Sequence, residues 1–462
     1  MKYKSPGNKN AWRCRSSRVF NFIAFKTLVI VSMDKLPESL LLEILSRLDH
    51  SADVARCRFA SKAFNTVFPD LRSINLQWST RKFSSSLKKV FLDLISKQRI
   101  VESVSIRLHE TVDEDFAKEW LPRVSQSLKS LSLSGYWYRF APPLALISAC
   151  CHNLTRLNLS FAWLSMDYLN PNPMPMLTSL TVEHTLLEDQ HLNQLNKCFP
   201  NLQVLNLVGG GLIDPKIHLL KLQNCHLDFL TDPSSLTLIT PNLIKLTIKC
   251  RPYLAAIHVD APMLSHFHLS LEHVTTLTAK FETLKTLWLD SFYIGSLLSE
   301  FPITKTVQNL TLDSGKNAPT NAGDSKLTLR KVFTVFPNLS SLCVKSSAWS
   351  ELEACLNPEG WEILDERIEL KTICAYLKLV DPSLTFSYVA CVLDQCVGLS
   401  LVSLLIHADV VDTESKRFMS KCMARWPQLK WRWGIWSEYV KDTWITDLQI
   451  DEHPKTSKKL RL

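Results

Sequence analysis

Glycine is scarce, with 11 residues in 462, which excludes collagen-like or linker-dominated architectures. No C-x-x-C pair occurs among the 13 cysteines, an odd number scattered from Cys14 to Cys422, so the spacing of a zinc or dithiol redox site is missing. The nearest neighbours, Cys150 with Cys151 and Cys391 with Cys396, have no His or Cys at ligand spacing. They read as reduced, mostly buried thiols of a nuclear or cytoplasmic protein. No apolar run reaches the roughly 20 residues of a membrane helix. The nearest, 19–32 (VFNFIAFKTLVIVS), is broken by Lys26 and reads as a signal peptide, a transit peptide, or an extension with no folded role. The last fits best, because a recognisable domain opens at Met33.

A basic stripe with interleaved aromatics is also absent, although the formal charge is +9. Seven basic residues and no acidic one fall in 1–32, and four more lie in the tail 455–462 (KTSKKLRL). Subtracting those eleven from +9 leaves −2 for 33–454, so neither a nucleic-acid nor a membrane partner is expected. The tail reads as a solvated end or a nuclear-import signal. What the chain does have is 46% hydrophobic and 21% charged residues, a composition that folds and can bury a large core.

Residues 33–48 (MDKLPESLLLEILSRL) encode a short helix: Pro37 suits the first helical position, Glu38 suits the positive helix start, and Leu41, Ile44, Leu45 and Leu48 form one stripe. Asp49 or Ser51 can cap a second helix through Cys57, and Ser61 a third through Val67 before Pro69. Three such helices bury too little surface alone, so the module must dock on a partner or on the rest of the chain. Residues 84–97 then place Leu87, Val90, Phe91, Leu94 and Ile95 on one face of a bridging helix.

From there a skeleton, apolar-x-x-apolar-x-apolar, recurs. It appears at Val101/Val104/Ile106, Leu128/Leu131/Leu133, Leu154/Leu157/Leu159, Leu177/Leu180/Val182, Leu202/Leu205/Leu207 and Ile217/Leu220/Leu222. It continues at Leu243/Leu246/Ile248, Leu264/Phe267/Leu269, Leu284/Leu287/Leu289, Val307/Leu310/Leu312 and Leu339/Leu342/Val344, with a straggler at Leu401/Leu404/Ile406. Most intervals fall at 20–27 residues, the period of leucine-rich repeats, in which each short strand plus its return makes one coil of a solenoid. Pro-Asn at 200–201, 241–242 and 337–338 marks the turn into a strand. Residues 113–124 read as a helix on the return side. Leu254/Ile257/Val259 and Val274/Leu277 read as return strands that replace helices between Leu243 and Leu284.

The module resembles an F-box through Leu36-Pro37, Leu40-Leu41, Ile44-Leu45, Leu48, Ala52-Asp53, Ala55-Arg56, Arg58, Ser61-Lys62 and Phe64. It departs from that pattern at Phe64, where many members have Trp, and at Ser61, where many have Cys. Followed by degenerate leucine-rich repeats, it resembles the plant F-box/leucine-rich-repeat family. The resemblance implies an α/β repeat solenoid with a curved parallel sheet behind a three-helix F-box. It also implies a substrate-choosing adaptor of a ubiquitin ligase, joined through a Skp-type adaptor to a cullin. Leu36, Pro37, Leu40, Leu41, Ile44, Leu45 and Leu48 are then the adaptor-binding candidates. The expected organisation is an extension at 1–32, the F-box at 33–75, a bridge at 76–100, the solenoid at 101–346, and last repeats with a Trp-rich cap at 347–462. The alternative is a repeat scaffold or ligand-binding protein unconnected with ubiquitin.

No nucleophile–base pair, metal signature or nucleotide loop is present, so no catalytic residue and no cofactor is expected. Gly209, Gly210 and Gly211 lack a following Gly-Lys-Ser/Thr and read as a turn. His266 and His268 share a strand face but lack a third ligand. Target-binding candidates face outward from the strands: Arg156, Asn158, Lys245, His266, His268, Trp288 and Asp290. Trp288 is preferred, because an outward tryptophan on a strand face is costly unless something covers it. Polar 313–326 reads as an exposed insertion, and Trp426, Trp431, Trp433, Trp436 and Trp444 as a cap closing the core.

Overall fold

The computed structural model describes residues 36–48, 50–78, 85–112, 114–137, 143–161, 173–314, 326–354 and 368–445. The extension 1–32, Asp49, residues 315–325 of the insertion expected at 313–326 and the basic tail lie outside them, while Asp313 ends a strand and Ser314 is buried.

The chain opens with three helices, α1 (Glu38–Ser46), α2 (Ser51–Ala60) and α3 (Lys62–Val67), then a 3-10 turn at Phe68–Asp70. Helix α2 runs one turn further than its sequence indicates. Its cap is His50, whose Nδ1 accepts from the Ala52 N–H at 3.1 Å. Ser61 stands at the α3 N-cap as expected, but its hydroxyl makes no capping bond. Leu41, Leu45, Val54, Phe64, Val67 and Phe68 are buried in the same core as the strands that follow. The Ser51 hydroxyl donates to the Asn75 carbonyl, and the Arg58 guanidinium lies 4.0 Å from the Phe68 ring centroid. One face of the module is thereby fixed to the first coil.

A single parallel row of fifteen described strands follows, from Ser73–Trp78 to Lys430–Trp436. Each coil is tied to its predecessor just before its strand: the N–H of residues 102, 129, 155, 178, 203, 223, 244, 265, 285, 308, 340, 371 and 400 donates to the carbonyl of the equivalent residue one coil back. Leu157 and Leu159, Leu246 and Ile248, and Leu287 and Leu289 point inward and are 0–1% exposed. Each such side chain contributes roughly 1.5–3 kcal/mol on burial, but only because the neighbouring coil covers it. The asparagines of the turns extend the ladder. Asn153, Asn201, Asn242 and Asn338 donate from Nδ2 to carbonyls of residues 126, 175, 220 and 305, at 2.7–2.9 Å.

The repeat skeleton differs from the expected one in four places. A coil precedes the first one expected, with Leu71, Ile74 and Leu76 buried. In the sixth expected repeat Leu220 is 48% exposed, and the true coil is Leu222/Cys225/Leu227, where Cys225 aligns with Leu205 and Leu246. A cysteine standing for leucine shifted the apparent frame by five residues. Near the end Leu370/Ile373/Ala375 forms an unexpected coil. The straggler's frame moves to Leu399/Val402/Leu404, because Val402 aligns with Ile373.

On the return side the early and late coils carry helices, among them Glu114–Val124, Pro143–Cys150, Pro382–Gln395 and Asp412–Arg425. The middle coils carry a second parallel row instead. It joins Lys216–His218, Ser235–Ile239 and the far halves of Lys245–Asp260 and His266–Ala279, and so starts one to two coils earlier than the sequence echoes suggest. The glycine turn feeds this row: Gly211 has φ +101°, and a Cβ on Gly210 would sit 2.7 Å from the Thr231 methyl. At the far end Thr443–Ile445 pairs antiparallel with Lys430–Trp436, so another strand covers the edge of the row. Trp426, Trp433 and Trp436 are buried there, and Trp444 packs where a side chain on Gly434 would stand.

Candidate functional site

Two surfaces stand apart from ordinary solvated faces. The first lies on the helical module. Leu41 and Leu45 point into the core, and Leu36 and Leu48 are half-buried against it. Pro37 is exposed, while Leu40 and Ile44, one turn apart on α1, keep 45% and 38% of their surface open. The stripe expected from the sequence is thus divided, with Ile44 turned outward. Phe59, which the sequence reading did not single out, is 94% exposed on α2. Its only sequence signal is an aromatic where a half-buried helix needs none.

The second surface is on the outward face of the strand row, toward its C-terminal end. Trp288, Asp290, Asp313, Lys345, Tyr376 and Trp436 line a groove of about 480 Å³. Strand register puts them there. Asp290 and Asp313 are direct partners on adjacent strands, while Tyr376, Leu405 and Trp436 form a small apolar cluster separate from the main core. Trp288 stacks on His268 with ring centroids 4.5 Å apart. Burial, then the Lys249 charge, lowers the pKa of His268, so it stays neutral near pH 7. The Asp290 carboxylate accepts from the Ser270 hydroxyl at 2.9 Å. The Tyr376 hydroxyl donates to Asp442 at 2.6 Å, and Lys345 Nζ sits 3.6 Å above the Tyr376 ring. Asp313 is half-buried and forms no side-chain hydrogen bond with the described residues. Burial, then the Asp290 charge, pushes its carboxyl up to about 6 against the pull of Lys345.

Of the target candidates, His268, Trp288 and Asp290 come together at this groove. His266 is exposed two residues before His268 on the same strand, with Nδ1 2.8 Å from the Ser265 hydroxyl. Lys245 lies one strand further back, beside His266, and Arg156 and Asn158 lie four strands before Lys245, so they belong to other parts of the face. Lys345, Tyr376 and Trp436 were missed because the coils that position two of them had not been recognised. Among the described residues no group of three His, Cys, Asp or Glu side chains could hold a metal, and no helix is long and apolar enough to cross a membrane. All eleven described cysteines are free thiols, and burial pushes Cys151, Cys225, Cys250, Cys396 and Cys422 up to about 12.

A three-helix module anchored to a parallel-strand solenoid, with exposed apolar residues on the module and a groove on the strand face, defines a helical-module repeat protein with two distinct open surfaces. The F-box domain family matches residues 33–75. The F-box/LRR-repeat protein At4g29420 of Arabidopsis thaliana is 34% identical over 450 residues, which cover 89% of this chain and 100% of that protein. The F-box protein At1g10780, also of Arabidopsis thaliana, is 28% identical over 221 residues, 45% of this chain and 51% of that protein. The chain belongs to the F-box/leucine-rich-repeat family and has a substrate-recognition role of the general F-box kind.

Proposed function

We propose that the chain is the substrate-recognition subunit of an SCF-type cullin ubiquitin ligase, acting in the nucleus or cytoplasm. The module at 33–75 docks on a Skp-type adaptor and through it reaches a cullin, while the solenoid's outward strand face holds a target protein. Ubiquitin transfer then follows from proximity, with no side-chain chemistry from this chain. The observation that carries this reading is the outward exposure of Leu40, Ile44 and Phe59 on a module whose opposite face is locked into the core. Leaving Phe59 in water is unfavourable by roughly 1.5–3 kcal/mol, and leaving the partly open Leu40 and Ile44 there by about half of that each, a cost that a partner surface removes.

Co-purification tests it. Full-length protein is expected to retain a Skp-type adaptor, and Leu40→Asp with Ile44→Asp is expected to abolish retention without changing the circular dichroism spectrum. Failure of the unmodified chain to retain an adaptor that binds another F-box protein would leave a repeat scaffold unconnected with ubiquitin.

A further inference from the structure

The groove at Trp288 has a chemistry more specific than a general protein-binding face. We infer that it receives an arginine side chain from an extended segment of the partner protein, with the guanidinium stacked on Trp288 and donating to Asp290 and Asp313. This rests on the reading of the solenoid as a target-binding surface and names what that surface selects.

Four observations converge. First, the groove is acidic on balance: Asp290, Asp313, Glu438 and Asp442 face Lys345 and Lys378. Second, most of those groups are already engaged. Asp442 accepts from Tyr376, Glu438 lies 2.9 Å from His407 Nε2, and the Lys345 amine is held over an aromatic ring. Asp313 differs, since its half-buried carboxyl lies directly across from Asp290 and receives no hydrogen bond from the described residues. Like charges directly opposite each other on neighbouring strands repel, and the Ser270 hydroxyl serves Asp290 alone, so in the free protein Asp313 lacks a donor among the described residues. Third, Trp288 is two residues before Asp290 on the same strand and the same face. It keeps 38% of its surface open while His268 backs it. An exposed indole beside a carboxylate pair, of which Asp313 receives no hydrogen bond from the described residues, fits a cation that is also planar. Fourth, a guanidinium meets both demands: it stacks on an indole, and its fork of five N–H donors can serve two carboxylates at once. An ammonium is a compact, strongly hydrated charge with no plane to lay on the indole.

The test uses the full-length chain and a library of heptapeptides with a fixed central Arg, Lys, citrulline or Glu and random flanks. Citrulline keeps the shape of arginine and removes its charge. The Arg pool is expected to be retained at least tenfold better than the citrulline pool and better than the Lys pool. Asp313→Asn and Trp288→Ala should each bring Arg retention to the citrulline level, whereas Asp228→Asn, on the same face three coils away, should leave it unchanged. Melting curves accompany every variant. If Trp288→Ala unfolds, Asp290→Asn replaces it. Equal retention of Arg and citrulline, a preference for Lys or Glu, no retention of any pool, or Arg selectivity that survives Asp313→Asn would each overturn the inference. Adaptor retention is read on the same preparations. Loss of adaptor binding with Arg selectivity intact sinks the ubiquitin-ligase reading alone, and the converse sinks this one alone.

Discussion

Asp313 shows how a residue's character depends on what faces it. In the sequence it is one of many polar residues after a leucine skeleton. In the fold it is a half-buried carboxyl opposite Asp290. Because burial and the Asp290 charge raise its pKa above the ordinary carboxylate range to about 6, its ionised form is less favoured in the folded chain, so its cost to stability grows as pH rises from about 4 through about 6. Asp313→Asn is therefore expected to stabilise the free protein at pH 7.5 by on the order of 1–2 kcal/mol, allowing for solvent screening in an open groove. The gain should shrink as pH falls toward 4. Urea denaturation at pH 7.5 and pH 4.5 checks both the sign and the trend, and a loss of stability at pH 7.5 would contradict the assignment. The turn asparagines act in the opposite direction. Asn242→Ala removes the donor to the Leu220 carbonyl and is expected to cost about 1 kcal/mol in the same assay.

At the scale of the element, the solenoid's frame is set by which apolar residue a neighbouring coil covers. Leu220 and Leu222 are two residues apart in the same turn, yet one is 48% exposed and the other fully buried. Leu222→Ala should cost about 2–5 kcal/mol and Leu220→Ala no more than about 0.5, a contrast that thermal unfolding resolves. Equal effects would reinstate the frame read from the sequence. The same logic explains the return strands. A strand spans the return in fewer residues than a helix, so coils of about 20 residues take strands and longer ones take helices. That correlation was legible from the spacing alone at 254–259 and 274–277. At 216–218 and 235–239 it was hidden, because the misplaced skeleton turned intervals of 20 and 21 residues into 15 and 26.

For the whole molecule, one core runs from Leu41 in the helical module to Trp433 in the last coil, so both partner surfaces belong to one packed body. Removing 396–445 would strip two strands and their antiparallel cover from the edge at Thr372–Leu377, uncovering Leu377 and Val389. Such a truncation is expected to aggregate on size-exclusion chromatography, whereas the full chain should not. A monodisperse truncated protein would show that the tryptophan-rich end is dispensable as a cap. The sequence by itself determined the order of parts, an F-box before leucine-rich repeats, and most of the inward residues. Those depend on local periodicity, which one strand and one helix turn are enough to express. Trp288 was also legible, since a tryptophan on an outward strand position is anomalous wherever its neighbours lie. Only the tertiary structure decided the rest: that Leu45 points inward and Ile44 outward on one helix, and that Phe59 is open. It alone brought Trp288, Asp313, Lys345, Tyr376 and Trp436 to one groove. These residues span 149 positions, and their meeting depends on the register of six stacked coils, which is set by burial between coils and by no pattern within any one of them.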